Sequence, residues 1–167
     1  QTDLVDAFAQ GRDVYSEHAS TVYSRPVDRK RVAADHIPGQ VGKVSILGMG
    51  YGMGWYKASM ELLKGMLGAP PIQFTIADME TMQVDPSRFL NNPRNMARVT
   101  ALPPRLELNP RLIHCAVTKA LVDRYRGKMD KVVDYWDLME HVITAMIQGG
   151  EMVFGAHGLL RTGKECI

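Results

Sequence analysis

The sequence predicts a mainly α-helical protein with a short β-hairpin near its C-terminal end. Apolar residues recur at helical spacing along most of the 167-residue chain, and the clearest strand patterns are two short runs within residues 152–160. With 46% hydrophobic residues, a chain of this length can bury the core of one domain. We therefore predict a single domain over residues 1–167.

The composition limits the classes of function. The formal net charge is only +2, so a surface that binds nucleic acid would have to be local. Cys115 and Cys166 lack the Cys-x-x-Cys spacing of a metal site, and the five histidines lack a second ligand at i+3 or i+4. We expect no metal site, and we expect Cys115 to be buried. No apolar run reaches about 18 residues and no signal-peptide pattern is present, which predicts a soluble, cytoplasmic protein without a membrane partner.

Two helices are predicted at the start of the chain. Apolar residues recur at helical spacing within residues 4–8, after the candidate N-cap Asp3. Asp13 is the candidate N-cap of a second helix, which runs to about Tyr23. Residues 24–40 are rich in charge and contain two prolines, so we predict a linker there.

The stretch from residue 42 to residue 54 contains five glycines in thirteen residues, which suggests a loop that binds phosphate. Two motif tests fail. The P-loop spacing would need glycine and serine or threonine where Ile37 and Val44 stand, and the dinucleotide-binding spacing would need glycine at Met53 or Trp55. Both kinds of nucleotide-binding loop are therefore poorly supported.

A helix over about residues 41–52 fits this stretch better. Lys43, Leu47 and Tyr51 then stand at i, i+4 and i+8 on one face, and eight residues of helical rise span roughly 12 Å. Lys43 would supply a cation for a triphosphate, and Tyr51 a flat ring near a base. Glycines at 52 and 54 would let a base or a backbone come close to that ring.

Further helices are predicted downstream. One runs over about residues 55–67, and a helical pair covers about residues 110–148 with a break near Gly127. Residues 69–111 are less regular. From residue 94 onward, four arginines face the single acid Glu107, so this part is either a contact to a template backbone or a plain surface loop: Arg94, Arg98, Arg105 and Arg111.

The pattern Gly-Lys-x-x-x-Leu-Gly-x-Gly-Tyr-Gly-Met-Gly over residues 42–54 resembles motif B, the O helix in the fingers of family A DNA polymerases, in its bacteriophage form. Residues 6–15 are similar to the segment that follows motif A in that family, and a weaker likeness continues to residues 158–163. The resemblance covers about two-thirds of the chain. Residues 69–111 match nothing in the family.

The resemblance implies a fingers subdomain of a DNA-directed DNA polymerase, a nucleotidyltransferase that binds the incoming deoxynucleoside triphosphate. Lys43 would bind the triphosphate and so support catalysis, and Leu47 would pack against the sugar and base. Tyr51 with Gly52 would lie under the nascent base pair, and Tyr51 and Gly54 would contact DNA. Tyr15 stands where many members have a histidine that contacts the triphosphate, and it is either a nucleotide ligand or a packing residue.

One departure concerns a phosphate-binding arginine, which the family carries four residues before the motif B lysine. Gly39 stands at that position here. Arg29 or Arg31 could fold back and substitute, although a solvated charged loop is the simpler expectation for this segment.

The resemblance also implies partners outside the chain. The sequence resembles a piece of a longer polypeptide, so we expect the carboxylates that hold catalytic Mg²⁺ to lie beyond residues 1–167. The implied partners are primer-template DNA, deoxynucleoside triphosphates and the remaining polymerase domains, in the cytoplasm of an infected bacterial host. On this basis the isolated chain should bind but not catalyse.

Two other classes of function remain open from the sequence. One is a different nucleotide-binding enzyme, in which residues 42–54 would form a strand, a turn and a helix. The other is a helical interaction module that uses the glycines for helix packing and binds no small ligand. Nucleotide titration would separate the interaction module from the two nucleotide-binding classes.

Overall fold

The computed structural model describes residues 2–66, 68–102, 106–149, 151–154 and 158–161. It confirms that the protein is mainly α-helical. The chain divides into two compact units, residues 1–128 and residues 129–167. The division falls at the break between the last two long helices.

The first unit is built from helices joined by short turns. In chain order they are α1 (Thr2–Ala9), α2 (Val14–Tyr23), a 3₁₀ turn (Ala33–Asp35), α3 (His36–Val44), a π-helical turn (Ser45–Met49), α4 (Trp55–Lys64), α5 (Ile76–Thr81), α6 (Ser87–Leu90), α7 (Pro93–Thr100) and α8 (Leu108–Lys128).

Helix α2 begins where the sequence predicts. The Asp13 side chain accepts hydrogen bonds from the backbone N–H groups of Tyr15 and Ser16, which would otherwise lack partners in the first turn. Val22 and Tyr23 are buried at the other end of the helix. The predicted N-cap and the predicted extent of α2 are confirmed.

The helix that carries the glycine-rich stretch begins at His36 and not near residue 41. Pro38, which the prediction placed in the linker, lies in the first turn of this helix. A missing N–H costs no hydrogen bond there. The helix continues through the π-helical turn and ends at Gly50. Tyr51 and Gly52, predicted on the helix, lie in the turn that follows it.

The charged linker is more ordered than a solvated loop. Asp35 is 4% exposed, and its carboxylate accepts hydrogen bonds from the backbone N–H of Asp28 at 2.8 Å and from Arg25 Nη1 at 2.6 Å. These two donors hold the pKa of Asp35 below its usual range. The linker is thereby tied to the start of α3.

The segment over residues 69–111, to which the sequence assigns no regular structure, contains three short helices and the start of α8. Thr75 and Asp78 form a capping box at the start of α5, and Asn92 caps α7. Arg94 and Arg98 of α7 are exposed, but Arg111 points inward and donates from Nη2 to the carbonyl oxygen of Leu106 at 2.6 Å. Arg105 lies outside the described residues.

A buried histidine joins three parts of the core. His114 of α8 is fully buried and stacks on Phe74 with ring centroids 5.4 Å apart. Its Nδ1 accepts a hydrogen bond from the Phe74 backbone N–H at 3.1 Å, and its Nε2 lies 3.0 Å from the Ser59 carbonyl oxygen in α4. This pairing requires the neutral tautomer with its proton on Nε2. His114 therefore links α4, α8 and the segment before α5.

The second unit contains α9 (Asp130–Ile147), β1 (Glu151–Phe154) and β2 (Gly158–Arg161). The two strands pair antiparallel, with Glu151 opposite Arg161 and Phe154 opposite Gly158. Residues 155–157, which would form the turn of the predicted hairpin, lie outside the described residues. No helix among the described residues is long and apolar enough to cross a membrane.

Candidate functional site

The helix that carries Lys43 is pressed against α2 by a glycine. A β carbon at Gly42 would overlap the carbonyl oxygen of Tyr15 and would lie 3.0 Å from the β carbon of Ala19. Glycine at residue 42 therefore permits a backbone contact that another residue would prevent. This contact places the backbone of Tyr15 beside the turn that presents Lys43, and both side chains are half-buried.

A second glycine on this helix is covered by an arginine from the linker. The side chain of Arg29 lies across Gly39, and a β carbon at residue 39 would overlap Arg29 Cβ and lie 2.8 Å from Arg29 Cδ. Arg29 therefore does fold back, as one of the two interpretations of the sequence allowed. Arg31 does not, because its side chain is 87% exposed and pairs with Asp28, at 3.8 Å.

The guanidinium of Arg29 is held on two sides. Its central carbon lies 4.7 Å from the centroid of the Tyr15 ring, and its Nε donates to Asp13 Oδ2 at 2.8 Å. Burial raises the pKa of Asp13, but Arg29, the Ser16 backbone and the charge of Lys30 outweigh it, so this carboxyl has a lowered pKa. We call Asp13, Tyr15, Arg29 and Gly39 the arginine bracket.

The other end of the helix opens into a concavity of about 790 Å³. Four of the residues that the sequence assigned to nucleotide or DNA binding line it, together with two charged residues of the following helix. The lining residues that matter here are Leu47, Tyr51, Gly52, Gly54, Lys57 and Glu61. The concavity is large enough to hold a nucleobase and its sugar.

The ring of Tyr51, at this concavity, is exposed to solvent. Tyr51 is 89% exposed, the largest exposed fraction among the large hydrophobic residues described. It follows the last helical residue, in a turn closed by the Gly52 N–H donating to the Met49 carbonyl oxygen at 3.0 Å. An aromatic ring in this position has one face available for stacking.

Gly52 and Gly54, which follow Tyr51, differ in whether the backbone conformation favours glycine. Gly52 has φ of +77°, a left-handed conformation that strongly favours glycine. Gly54 has φ of −80°, and a β carbon there would meet no atom within 4 Å. Gly54 is the N-cap residue of α4, a position where glycine is common, but neither its backbone conformation nor packing within the described residues requires glycine.

The structure separates the predicted site residues into two groups. The backbone of Tyr15, on α2, contacts Gly42 next to Lys43, whereas Leu47, Tyr51, Gly52 and Gly54 surround the concavity at the end of the helix. Lys43 does not line the concavity. In a regular α-helix, residues eight apart are offset by about 80° around the axis. In the π-helical turn the chain rotates by less per residue than in an α-helix, so the angular offset between Lys43 and Tyr51 is smaller.

Two cations of this region did not stand out in the sequence. The sequence offers Arg29 and Arg31 equally as substitutes for the family arginine that is absent at residue 39. Nothing in the spacing of Arg29 indicates that it contacts Gly39, ten residues away. Lys57 lies in the first turn of α4 and lines the concavity, although the sequence shows it only as one lysine of an amphipathic helix. Both are brought to the site by turns whose course the sequence does not specify.

The described residues offer no alternative centre for metal or thiol chemistry. Within those ranges, no three histidine, cysteine, aspartate or glutamate side chains converge in a way that could hold a metal ion. Cys115 is buried, as predicted, and burial raises the pKa of its thiol. Cys166 lies outside the described ranges.

Comparison with known proteins does not assign the chain to a family: no family model, no curated protein and no solved structure matches it.

Proposed function

We propose that this chain is the nucleotide-binding fingers segment of a DNA-directed DNA polymerase of family A, and that residues 36–54 hold the incoming deoxynucleoside triphosphate against the template. The observation that carries this proposal is the position of Tyr51. Its ring is almost fully exposed at the end of a helix, above a concavity, and is flanked by one glycine that nothing within the described residues requires.

The proposed roles follow the order of residues along the helix. Lys43 binds the phosphates, with Tyr15 beside it on α2. Leu47 lines the concavity and packs against the sugar and base. Tyr51 and Gly52 lie under the nascent base pair, where stacking is tolerant of sequence because every base has a flat face.

DNA would enter from the side of the two glycines. A β carbon at Gly54 would meet no atom within 4 Å, so a template backbone or base can approach the start of α4 there. Lys57, in the first turn of α4, adds a positive charge to the same concavity. Such a contact would be sensitive to salt, because it replaces counterions on the phosphates.

Chemistry in this proposal requires partners. The Mg²⁺ ions that such a polymerase uses to activate the attacking and leaving oxygens would be held by carboxylates of the remaining polymerase domains. This chain contributes binding, orientation and the exclusion of water when the helix closes on the nucleotide. We therefore expect the purified chain to show no extension of a labelled primer.

A fluorescence titration tests the proposal. The chain is titrated with a fluorescent deoxynucleoside triphosphate, with and without primer-template DNA, and compared with Tyr51→Ala and Tyr51→Phe variants. We expect binding by the wild type, tighter binding when DNA is present, weaker binding by Tyr51→Ala, and retention by Tyr51→Phe because the ring is kept.

The outcomes distinguish the three classes of function. A chain that binds no triphosphate with or without DNA contradicts the proposal and favours a helical interaction module. A chain that binds triphosphate equally well with and without DNA, and whose Tyr51→Ala variant is unaffected, favours a different nucleotide-binding protein.

A further inference from the structure

We infer that a cleft along α8 is a second binding site, separate from the concavity at Tyr51, and that it takes a small organic anion carrying a phosphate or carboxylate group. The cleft has a volume of about 330 Å³ and lies between residues 85–95, which include α6 and the start of α7, and residues 116–124 of α8. We call it the α8 cleft. It shares no lining residue with the concavity at Tyr51, so the inference does not rest on the proposed function.

Small side chains on α8 create the space of the cleft. Ala116 and Ala120 stand four residues apart on one face of the helix, and both line the cleft. The opposite wall contains Phe89 of α6, which is buried and packs edge-on against Trp55 with ring centroids 5.1 Å apart. The apolar part of the cleft is therefore held in place by the core. Its volume lies near the lower limit for ligand sites in proteins, so a compact molecule fits it best.

Three cations line the α8 cleft. Arg124 Nη2 donates to the carbonyl oxygen of Met82 at 2.6 Å, and no carboxylate pairs with this arginine in the part of the chain that the structure describes. Lys119 Nζ donates to Asp123 Oδ1 at 2.6 Å. Arg88 is exposed and makes no hydrogen bond or ion pair within that same part of the chain, so its guanidinium keeps its donors for a ligand.

Two carboxylates also line the cleft, and both are already engaged. Asp85 accepts hydrogen bonds from the hydroxyl of Ser87 and from the Ser87 backbone N–H, the latter at 2.9 Å. These bonds hold the pKa of Asp85 below its usual range, and the positive charge of Arg88 adds to the effect. Asp123 is the partner of Lys119. With three cations and two engaged carboxylates, the cleft carries a net positive charge and favours an anion.

Two asparagine amides in the cleft have their orientation fixed by hydrogen bonds. Asn92 Oδ1 accepts from the backbone N–H groups of Arg94 at 3.0 Å and Asn95 at 3.4 Å, which leaves its Nδ2 as a donor. Asn95 Nδ2 donates to the carbonyl oxygen of Phe89 at 3.3 Å, which leaves its Oδ1 as an acceptor. The first amide can hold an anionic oxygen, and the second can accept a hydrogen bond from a hydroxyl of the same molecule.

The class of ligand follows from these groups. An anionic group binds the Arg88 fork, which matches the oxygens of a phosphate or a carboxylate equally well, and Asn92 adds a donor. A hydroxyl of the ligand meets Asn95, and its carbon body lies against Phe89 and Ala120. Phosphate monoesters and hydroxy acids share this chemistry, because both join one anionic group to a short hydroxylated carbon chain.

An NMR titration of the ¹⁵N-labelled chain tests the site. The ligands are glycerol 3-phosphate, glycerate and neutral glycerol, which differ in the charged group and share the hydroxylated chain. The side-chain amide signals of Asn92 and Asn95 report occupancy directly, because both residues line the cleft. We expect saturable shifts of these signals with at least one of the two anions, at a dissociation constant of about 5 mM or tighter, and none with glycerol.

The variant Arg88→Met removes the guanidinium but keeps an unbranched stem, and it should weaken anion binding about tenfold or more. Arg98→Met is the matched control, since Arg98 is another exposed arginine of this region that does not line the cleft. Its affinity should stay within about twofold of the wild type, because a screened surface charge contributes little. Ala120→Met fills the cleft without changing a charge and should abolish saturable binding. Arg88 and Arg98 are both exposed, so this pair decides the question even if Ala120→Met impairs folding.

The results identify the anion or overturn the inference. Tighter binding of glycerol 3-phosphate than of glycerate identifies a phosphate monoester site, the reverse order identifies a hydroxy acid site, and equal affinities show that the cleft recognises negative charge alone. All three results support an anion site. The inference is overturned if neither anion gives saturable shifts, if glycerol binds as tightly as the anions, or if Arg88→Met and Arg98→Met weaken binding equally.

Discussion

The α carbon of Gly42 faces the backbone carbonyl of Tyr15, and a β carbon at residue 42 would overlap its oxygen. The obstacle is backbone on both sides, so no side chain can rotate away to relieve it. This contact sets how closely the helix that carries Lys43 lies against α2, and it links the packing of the first unit to the geometry of the candidate site.

We predict that Gly42→Ala lowers the free energy of unfolding by about 1–3 kcal/mol, because the two helices must move apart. Gly127→Ala is the matched control: Gly127 lies near the end of α8, and a β carbon there would meet nothing within 4 Å. The control should raise stability by about 0.5–1 kcal/mol, since alanine is the better helix former. Urea unfolding of the three proteins measures both effects, and an equal response to the two substitutions would contradict the close contact.

Lys43→Ala should weaken nucleotide binding by about ten- to a hundredfold, because a charge-assisted phosphate contact contributes roughly 1.5–3 kcal/mol. Lys43→Arg should rescue only part of the loss, since the guanidinium presents its donors in a different geometry. Equilibrium titration with a deoxynucleoside triphosphate measures the dissociation constants. Lys131→Ala, which removes a lysine whose side chain is 70% exposed on α9, is the control and should bind as the wild type does. An unchanged affinity for Lys43→Ala would remove Lys43 from the phosphate site.

Leu47→Tyr should relax discrimination against dideoxynucleotides in a polymerase that contains this chain. Leu47 is half-buried and lines the concavity, so a tyrosine hydroxyl there could replace the hydrogen bond that a sugar without its 3′-hydroxyl cannot make. One hydrogen bond of about 1 kcal/mol shifts the ratio of incorporation about fivefold. Competitive incorporation of deoxy- and dideoxynucleotides measures the ratio. If Leu47 instead belongs to the core, the variant keeps the wild-type ratio and unfolds earlier by roughly 1–3 kcal/mol.

Two buried histidines should make the fold sensitive to acid. Burial, and then the charge of Lys128, lower the pKa of His18 to about 4 from its usual 6.5, and burial also lowers the pKa of His114. Both are neutral in the folded protein, while the unfolded chain takes up protons near pH 6.5. Stability is therefore fully present above about pH 6.5 and is lost as the pH falls towards 4, with about 3 kcal/mol from His18 alone.

The variant His18→Leu isolates this contribution. His18 Nδ1 is buried without a hydrogen-bond partner among the described residues, so leucine should not reduce stability at pH 7 by loss of a bond there. We expect a flatter profile of unfolding free energy between pH 7 and pH 4, measured by urea unfolding at several pH values. His36→Gln, which changes an exposed histidine, should leave the profile unchanged. A His18→Leu profile as steep as that of the wild type would place the acid sensitivity elsewhere.

Features that depend on neighbouring residues were predictable from the sequence. The Asp13 cap, the start of α4 at Trp55 and the break between the last two long helices all follow from capping groups and apolar periodicity within a few residues. Helix α3 begins before the predicted position near residue 41, because Pro38 lies in its first turn, where proline is tolerated.

Features that depend on distant residues were not predictable in this way. His114 binds partners 40 and 55 residues away in the chain, and its spacing on α8 shows only another helical residue. The position of Arg29 over Gly39 depends on the path of the linker, which is set by the buried carboxylate of Asp35. The π-helical turn leaves no periodic signal either, since it adds only one residue to the pattern.

That extra residue has a consequence for insertions and deletions. Because a π-helical turn takes about one residue more than an α-helical turn for nearly the same rotation, removing one residue from the turn at Ser45–Met49 would leave a continuous α-helix whose end keeps nearly the same direction. Removing one residue from His36–Val44 would instead turn everything beyond the deletion by about 100° and draw it back by about 1.5 Å. The turn at Ser45–Met49 is therefore the part of this helix in which the loss of one residue changes the direction of the exposed Tyr51 ring least.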